Sequence, residues 1–350
     1  MNAIALVMIV RNEARCLARC LASARPWVDE MIVVDTGSTD ATPQIARAAG
    51  AHVHRFDWVD DFAAARNYAL GLTSAPWRLV LDADEWVERG GEVLVAARAQ
   101  EPGHIGLLHV SSHIDGGAGG MIEAPSWLPR LLPSSVRYAG RIHEQPQSTL
   151  ARRQLPVVIG HDGYLPDQQA AKRGRNERLL RAALAEQPLD GYWNYQLGKD
   201  LETRTQFAAA LPYYALAQRV VDTHAAWRHD LVVRMLFTLK KLGRFDAAQA
   251  LADAQAPHWQ HSPDFFFTLG DVLLDQALAE PQRAAQLLPL IEANWLRAVA
   301  VGERPELPDT VRGRGSFLAA HNLAAFHESL GHAEQARQWR ENAAQWRAQA

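Results

Sequence analysis

The sequence predicts an α/β domain built on a mostly parallel sheet, followed by an all-α domain of repeated helix pairs. Three observations carry this. At 350 residues the chain exceeds one compact core and calls for two domains or one large one. Up to His104, short apolar runs alternate with segments of helical spacing. Beyond Pro166 only helical spacing remains.

Each element has its own signal. Ile4–Val10 is an unbroken apolar run, the pattern of a strand buried on both faces. Arg11–Ala24 follows with Ala14, Leu17, Ala18 and Leu21 at helical spacing. Cys16 and Cys20, four apart on that helix, read as small packing groups. Glu30–Val34 is a second strand. Thr36–Asp40 is a turn rich in capping residues, and Thr42–Gly50 is a helix closed by glycine. Ala51–Phe56 is a third strand, Phe62–Leu72 a helix and Trp77–Leu81 a fourth strand. This alternation implies parallel pairing through right-handed crossovers. Ile105–Ile114 is then a longer strand, Asp115–Gly120 a glycine-rich hairpin tip, and shorter strands follow at Trp127–Leu132 and Pro156–Ile159. The expected division is a catalytic domain over 1–165, a connection over 166–190 containing a helix at Gln168–Glu186, and a helical domain over 191–350.

The helical part repeats itself. Asn194-Tyr195-Gln196-Leu197-Gly198, Met235 to Leu239, Thr268-Leu269-Gly270 and Asn322-Leu323-Ala324 each begin a similar run of small and large apolar positions. The starts at 197, 235, 269 and 323 are spaced 38, 34 and 54 residues, with an insertion around Glu303–Gly315. The pattern resembles tetratricopeptide (TPR) repeats, whose period is about 34 residues.

Composition removes several function classes. Lys+Arg is 36 against Asp+Glu 39, a net charge of −3, so overall charge supports no nucleic-acid binding. No uncharged apolar run approaches the ~20 residues of a membrane helix. The opening MNAIALVMIVRNEA lacks a basic n-region, so no signal peptide is expected. Two cysteines supply neither a disulfide framework nor a four-cysteine zinc site, and a cytoplasmic location is expected. Residues 1–165 hold 15 arginines and no lysine, which excludes a P-loop or Schiff-base lysine from the first domain.

The strongest chemical signal is Asp82-Ala83-Asp84 at the end of the fourth strand. Side chains two apart on an extended segment point the same way, here toward the carboxyl edge where open α/β sheets bind ligands. Two hard oxygen ligands suit Mn²⁺ or Mg²⁺, with a diphosphate completing the shell. Two acids at a strand end can equally cap a helix.

Four ordered motifs add context: Met8-Ile9-Val10-Arg11-Asn12-Glu13, Val33-Val34-Asp35-Thr36-Gly37-Ser38-Thr39-Asp40, Ala65-Arg66-Asn67-Tyr68-Ala69-Leu70 and Leu81-Asp82-Ala83-Asp84-Glu85. Together they resemble the family 2 glycosyltransferases, nucleotide-sugar enzymes of the GT-A fold. Asp60-Asp61-Phe62 and His143-Glu144-Gln145 are similar to a subgroup with C-terminal TPR repeats, which includes peptide S-glycosyltransferases of the sublancin type.

The resemblance implies roles. Asp35 would accept the uracil imide N–H, or else cap the next turn. Asn12 and Glu13 would lie beside base and ribose, with Arg11 stacking on the base where many relatives have tyrosine. Arg66 would bind the diphosphate or pair with Asp82, and Arg130 is a further diphosphate candidate. Asp82 and Ala83 would contact the nucleotide-sugar, Asp82 and Asp84 would hold the metal, and His161 competes for it. Asp40 reads as a cap for the helix at Thr42. The reaction inverts the anomeric centre, and Glu144 is the candidate base, unless it only pairs with Arg141. His143 would touch metal or diphosphate, or orient Glu144.

The expected function is therefore a metal-dependent, inverting, hexosyltransferase-like enzyme using a nucleoside-diphosphate sugar, UDP-hexose first. Its acceptor would be a peptide or protein, or a cell-surface glycan. The helical repeats would offer a surface for a protein partner. A catalytically inactive TPR adaptor is one alternative. A nucleotidyltransferase is another, though Arg11-Asn12-Glu13 lacks the glycine-rich loop such enzymes place after the first strand.

Overall fold

A computed structural model describes residues 3–115, 121–162, 174–307 and 309–349. The chain divides into two units, Met1–Leu179 and Leu180–Ala350. The division falls inside the expected connecting helix.

The first unit is built on an eight-stranded sheet. Its elements in chain order are β1 (Ile4–Val10), α1 (Leu17–Ala24), β2 (Glu30–Asp35), α2 (Thr42–Ala48), β3 (His52–Arg55), α3 (Phe62–Gly71), β4 (Trp77–Val80), β5 (Glu85–Arg89), α4 (Gly91–Ala97), β6 (Ile105–Asp115), β7 (Met121–Pro133), β8 (Arg137–Ala139), β9 (Gln145–Gln147) and β10 (Arg152–His161). The sheet order is β3-β2-β1-β4-β7-β6-β10-β5. The β3-β2-β1-β4 half is wholly parallel. β7 enters antiparallel to β4 and β6, β10 runs parallel to β6, and β5 closes the edge antiparallel to β10. β8 and β9 form a separate small hairpin.

The four expected strands of the parallel half are present, because continuous apolar runs suit a sheet covered on both faces. Ile4, Leu6 and Met8 face one core with Leu17, Leu21 and Trp77, whereas Ala5 and Val7 face the other with Leu70 and Val80. The first helix departs from expectation. It starts at Leu17 rather than Arg11, because Asn12 takes a left-handed backbone (φ 58°) that no helix contains. Glu85–Arg89 and Gly91–Ala97 were not expected from their sequence. β5 is a five-residue edge strand with three charged side chains, too short and polar for the periodicity to show.

β10 is longer than the expected Pro156–Ile159. Its register against β6 shifts between Gln154 and Val158, where Pro156 cannot donate to a ladder. Residues 116–120 of the expected glycine-rich tip lie outside the described residues; the flanking strands pair from Asp115 with Met121 onward. Residues 168–173 of the expected connecting helix also lie outside them. The helix described there is α5 (Arg175–Glu186).

The second unit is all helical: α6 (Gly191–Thr203), α7 (Phe207–Val220), α8 (Arg228–Lys241), α9 (Phe245–Gln255), α10 (Pro263–Ala279), α11 (Ala284–Val301), α12 (Phe317–Ser329) and α13 (Ala333–Gln349). Successive helices pack in pairs, α6 on α7, α8 on α9, α10 on α11 and α12 on α13. The repeated small positions explain the spacing. A Cβ at Gly198 would meet the Tyr214 ring at 2.5 Å, and one at Gly270 would meet Trp295 at 2.5 Å. The same site in two repeats thus admits a large aromatic from the second helix of its pair. Asp190 and Ser262 cap α6 and α10, accepting from Trp193 N at 2.8 Å and Phe265 N at 3.0 Å. No helix among the described residues is long and apolar enough to cross a membrane.

Candidate active site

The parallel order β2-β1-β4 brings three chain ends to one edge of the sheet: Arg11 after β1, Asp35 at the end of β2, and Asp82 after β4. Two antiparallel steps through β7 and β6 make β10 parallel to β4, so His161 ends on the same edge. This is where open α/β sheets take ligands.

The loops after β1 and β2 are laced together. Asn12 N donates to Ser38 Oγ at 2.9 Å, and Thr39 N donates to Asn12 Oδ1 at 2.7 Å. Glu13 N donates to Thr42 Oγ1 at 2.7 Å. Asp40 accepts from Thr42 N at 2.9 Å and from Ala14 N at 3.2 Å, so it ties the two loops together, while the N-cap position of α2 falls to Ala41, without a side-chain cap. Asp35 is buried and accepts from Ser38 N at 3.1 Å. It therefore shapes its own turn, and its acidic oxygens sit at the strand end. Arg11 is exposed.

A second cluster surrounds Asp82. Arg66, placed by α3 whose N-terminus Asp61 caps at Ala64 N (2.9 Å), donates Nη2 to Asp82 Oδ1 at 2.7 Å. Its Nε donates to Glu144 Oε1 at 2.5 Å. Arg130 of β7 donates to Asp82 Oδ2 at 2.9 Å and to Glu85. Five alternating charges thus form a chain: Glu144, Arg66, Asp82, Arg130, Glu85. Burial pushes the Asp82 carboxyl up, but Arg66 and Arg130 outweigh it and hold that group far below the usual carboxylate range. Burial wins at Glu85, whose pKa is raised. Both arginines are buried, and Arg66 Nη1 and Arg130 Nε have no hydrogen-bond partner among the described residues. Of the alternatives open for Arg66, the pairing with Asp82 is observed. Glu144 pairs with Arg66.

Asp82 and Asp84 part ways. β4 ends at Val80, and the backbone turns, with Glu85 N donating to Asp82 O at 3.0 Å. Strand alternation therefore does not extend to Asp84, which corrects the sequence argument for a shared direction. Ala83, in this turn, is buried. Asp84 Oδ2 instead faces His161 Nε2 at 3.5 Å, both side chains largely enclosed. A carboxylate oxygen and an imidazole nitrogen brought this close are donor types that a divalent cation takes. No group of three or more His, Cys, Asp or Glu among the described residues could hold a metal. Asp84 and His161 offer two donors, and a divalent cation here would take the rest of its shell from ligand oxygens and water. His143 adopts a left-handed backbone (φ 51°), and its carbonyl accepts from Gln145 Nε2 at 3.3 Å.

Sequence reasoning missed two groups. Arg175 of α5 lies over the Phe62 ring, 5.2 Å from its centroid. Burial, then the like charge of Arg11, lowers its pKa, while Glu13 and Glu144 oppose that. Its arginine-asparagine sequence gives no sign of this placement. Arg15 and Arg19 grip Asp162, beside His161. Their spacing of four residues, from the turn before α1 into its first turn, was the available signal.

The fold and the edge site define an α/β domain whose candidate ligand site lies at the carboxyl edge of its mostly parallel half-sheet. Residues 5–143 match the family described as Glycosyl transferase family 2. A TPR repeat-containing protein of Synechococcus elongatus is 34% identical over 265 residues, covering 71% of this chain and 64% of the relative. The SPbeta prophage-derived glycosyltransferase SunS of Bacillus subtilis is 28% identical over 218 residues, covering 59% and 51%. The chain thus spans less than two thirds of the length of either relative. Among solved structures, MamA from Desulfovibrio magneticus aligns at 14% identity and TM-score 0.40 over 52% of this chain and 91% of that one. Glucosyl-3-phosphoglycerate synthase from Mycobacterium tuberculosis aligns at 26% identity and TM-score 0.26, covering 33% and 45%.

Proposed function

We propose that the chain is a glycosyltransferase that moves a sugar, first of all a hexose, from a UDP-sugar to an acceptor with inversion. One observation carries the reading. At one carboxyl edge, Asp82 is held between two buried arginines while Asp84 faces His161 at 3.5 Å. Such an edge sets two arginines, each balanced by carboxylates, beside a carboxylate–imidazole pair that would hold a cation, the two kinds of partner a nucleoside diphosphate takes.

Asp35, Asn12 and Glu13 line the nucleoside end, with Arg11 available to stack on the base through its guanidinium plane. Arg66 and Arg130 face the diphosphate end. Asp84 and His161 would hold Mn²⁺ or Mg²⁺, which when bound neutralises charge growing on the departing diphosphate. Glu144 takes the acceptor proton. Arg66 occupies its Oε1, and Oε2 has no hydrogen-bond partner among the described residues. As the proton passes to Glu144, the acceptor atom bonds to the anomeric carbon from the face opposite the diphosphate, whose bond to that carbon breaks. His143, in its left-handed turn, sets the direction of Glu144.

The all-α unit and the relative named as TPR repeat-containing favour a peptide or protein acceptor over a cell-surface glycan. A cytoplasmic location accords with a soluble donor. Incubation with UDP-, GDP- and dTDP-sugars plus Mn²⁺, with released nucleotide measured, tests the reading. Release from the UDP-sugar is expected. No release and no metal-enhanced nucleotide binding would overturn it in favour of a binding protein.

A further inference from the structure

The end of β10 is fastened from outside the sheet. Arg15 donates to both oxygens of Asp162, at 3.1 and 3.0 Å. Arg19, one helical turn on, donates to Asp162 Oδ2 at 2.6 Å. The Arg19 guanidinium also lies 3.8 Å from the Trp86 ring centre, on β5, which pairs with β10 through Gly160 opposite Trp86. Asp162 N in turn donates to Asp84 O at 3.3 Å. Asp162 therefore links three things: the two arginines, the backbone of Asp84, and the adjoining His161. The arginine side chains are 43% and 45% exposed, whereas Asp162 is 17% exposed. Two solvent-facing cations converging on one largely enclosed carboxylate contribute little as ordinary surface pairs. Their effect lies in where they hold the chain.

We propose that Arg15 and Arg19 form a clip on Asp162 that fixes the Asp84–His161 separation, and so sets the affinity of the site for its divalent cation. The proposal rests on the cation reading above. Without the clip, His161 terminates β10 one residue before an unanchored carboxylate, and the two ligand atoms lose their fixed spacing. Arg15 and Arg19 touch neither cation nor donor; they are positioning residues. The geometry explains why one arginine just before α1 and one on its first turn flank the buried cysteines, a pattern that packing alone does not require.

The test measures Mn²⁺ binding by calorimetry and by loss of the free-ion paramagnetic resonance signal, in the 350-residue chain saturated with UDP. Arg15→Ala/Arg19→Ala should weaken Mn²⁺ by about tenfold or more, while UDP affinity without metal stays within twofold and thermal unfolding remains cooperative. Asp162→Asn, which keeps size and removes the charge, should weaken Mn²⁺ similarly, and serves if the double variant fails to fold. Adding the arginine changes to Asp162→Asn should cost little more. Mn²⁺ affinity within twofold of the unaltered chain in both variants, with Asp84→Ala abolishing binding, overturns the clip alone. An unaltered chain that binds no Mn²⁺ with UDP overturns the cation reading, and the clip with it.

Discussion

Arg66 binds Asp82 at 2.7 Å through one nitrogen and Glu144 at 2.5 Å through another. One buried guanidinium thus joins the acid just after β4 to the candidate base, which lies 78 residues beyond the arginine in sequence. The donor end and the acceptor end of the proposed reaction share a single cation, so changes at one are felt at the other.

Asp84→Asn tests the cation ligand. Turnover is expected to fall by about 10²-fold or more, about 3 kcal/mol of transition-state stabilisation. Chelation should do the same to the unaltered protein, and Mn²⁺ or Mg²⁺ should restore it. Full activity in excess EDTA rejects the assignment.

Asp35→Ala should weaken nucleotide binding by about 1–3 kcal/mol, the effect of a lost charged hydrogen bond. Because Asp35 also accepts from Ser38 N, the same change should loosen the turn and lower the melting temperature. Calorimetry with UDP separates the two. A lower melting temperature with unchanged UDP affinity leaves Asp35 as a cap alone.

For Glu144→Gln, sugar transfer should drop by about 10²–10⁴-fold, the range of a general base. Nucleotide affinity should hold within a few-fold. Since the glutamate also neutralises Arg66, the variant should be less stable, and Arg66→Ala/Glu144→Gln should be less than additive in unfolding free energy. Loss of UDP affinity in step with activity would place Glu144 in the donor site instead. An alcohol acceptor gives the cleaner measurement, since a thiol is partly ionised near neutral pH.

Acid should release the first turn of α5. Arg178 makes two hydrogen bonds to Asp60, at 2.6 and 2.8 Å. Those bonds, with one from Trp58, hold the Asp60 carboxyl at about 2. A folded pKa below the unfolded one contributes stability above the ordinary carboxylate range, lost as pH falls from about 4 toward 2. Carboxylate NMR should show Asp60 titrating near that lower limit, and Arg178→Ala should move it up. A midpoint unaffected by Arg178→Ala would break the link.

The two thiols should be inert. Burial, reinforced by Glu13, pushes Cys16 up to about 12, and burial raises Cys20. Thiol reagents at pH 8 should modify both quickly only in denaturant. Fast native labelling would show that the α1 face opens.

Much of the first unit is legible in local sequence. Ile4–Val10, the turn chemistry at Thr36–Asp40 and the Leu81–Glu85 segment announce strand, cap and site, because apolar period and capping are set by near neighbours. The positions of Gly198 and Gly270 likewise mark the helix pairs before any packing is known. Arg130 was only one arginine in a short strand until β7 was seen to lie antiparallel to β4, which delivers it to Asp82, 48 residues back.

What the sequence alone determined, then, is which segments are strands or helices and which acids end them, for these depend on residues a few positions apart. The tertiary structure decided which charges meet. Asp82 went to Arg66 and Arg130, Asp84 to His161, and Asp162 to Arg15 and Arg19 across a separation of 147 and 143 residues. Those partners follow from the sheet order β4-β7-β6-β10, and strand order is fixed by long-range packing that no local period encodes.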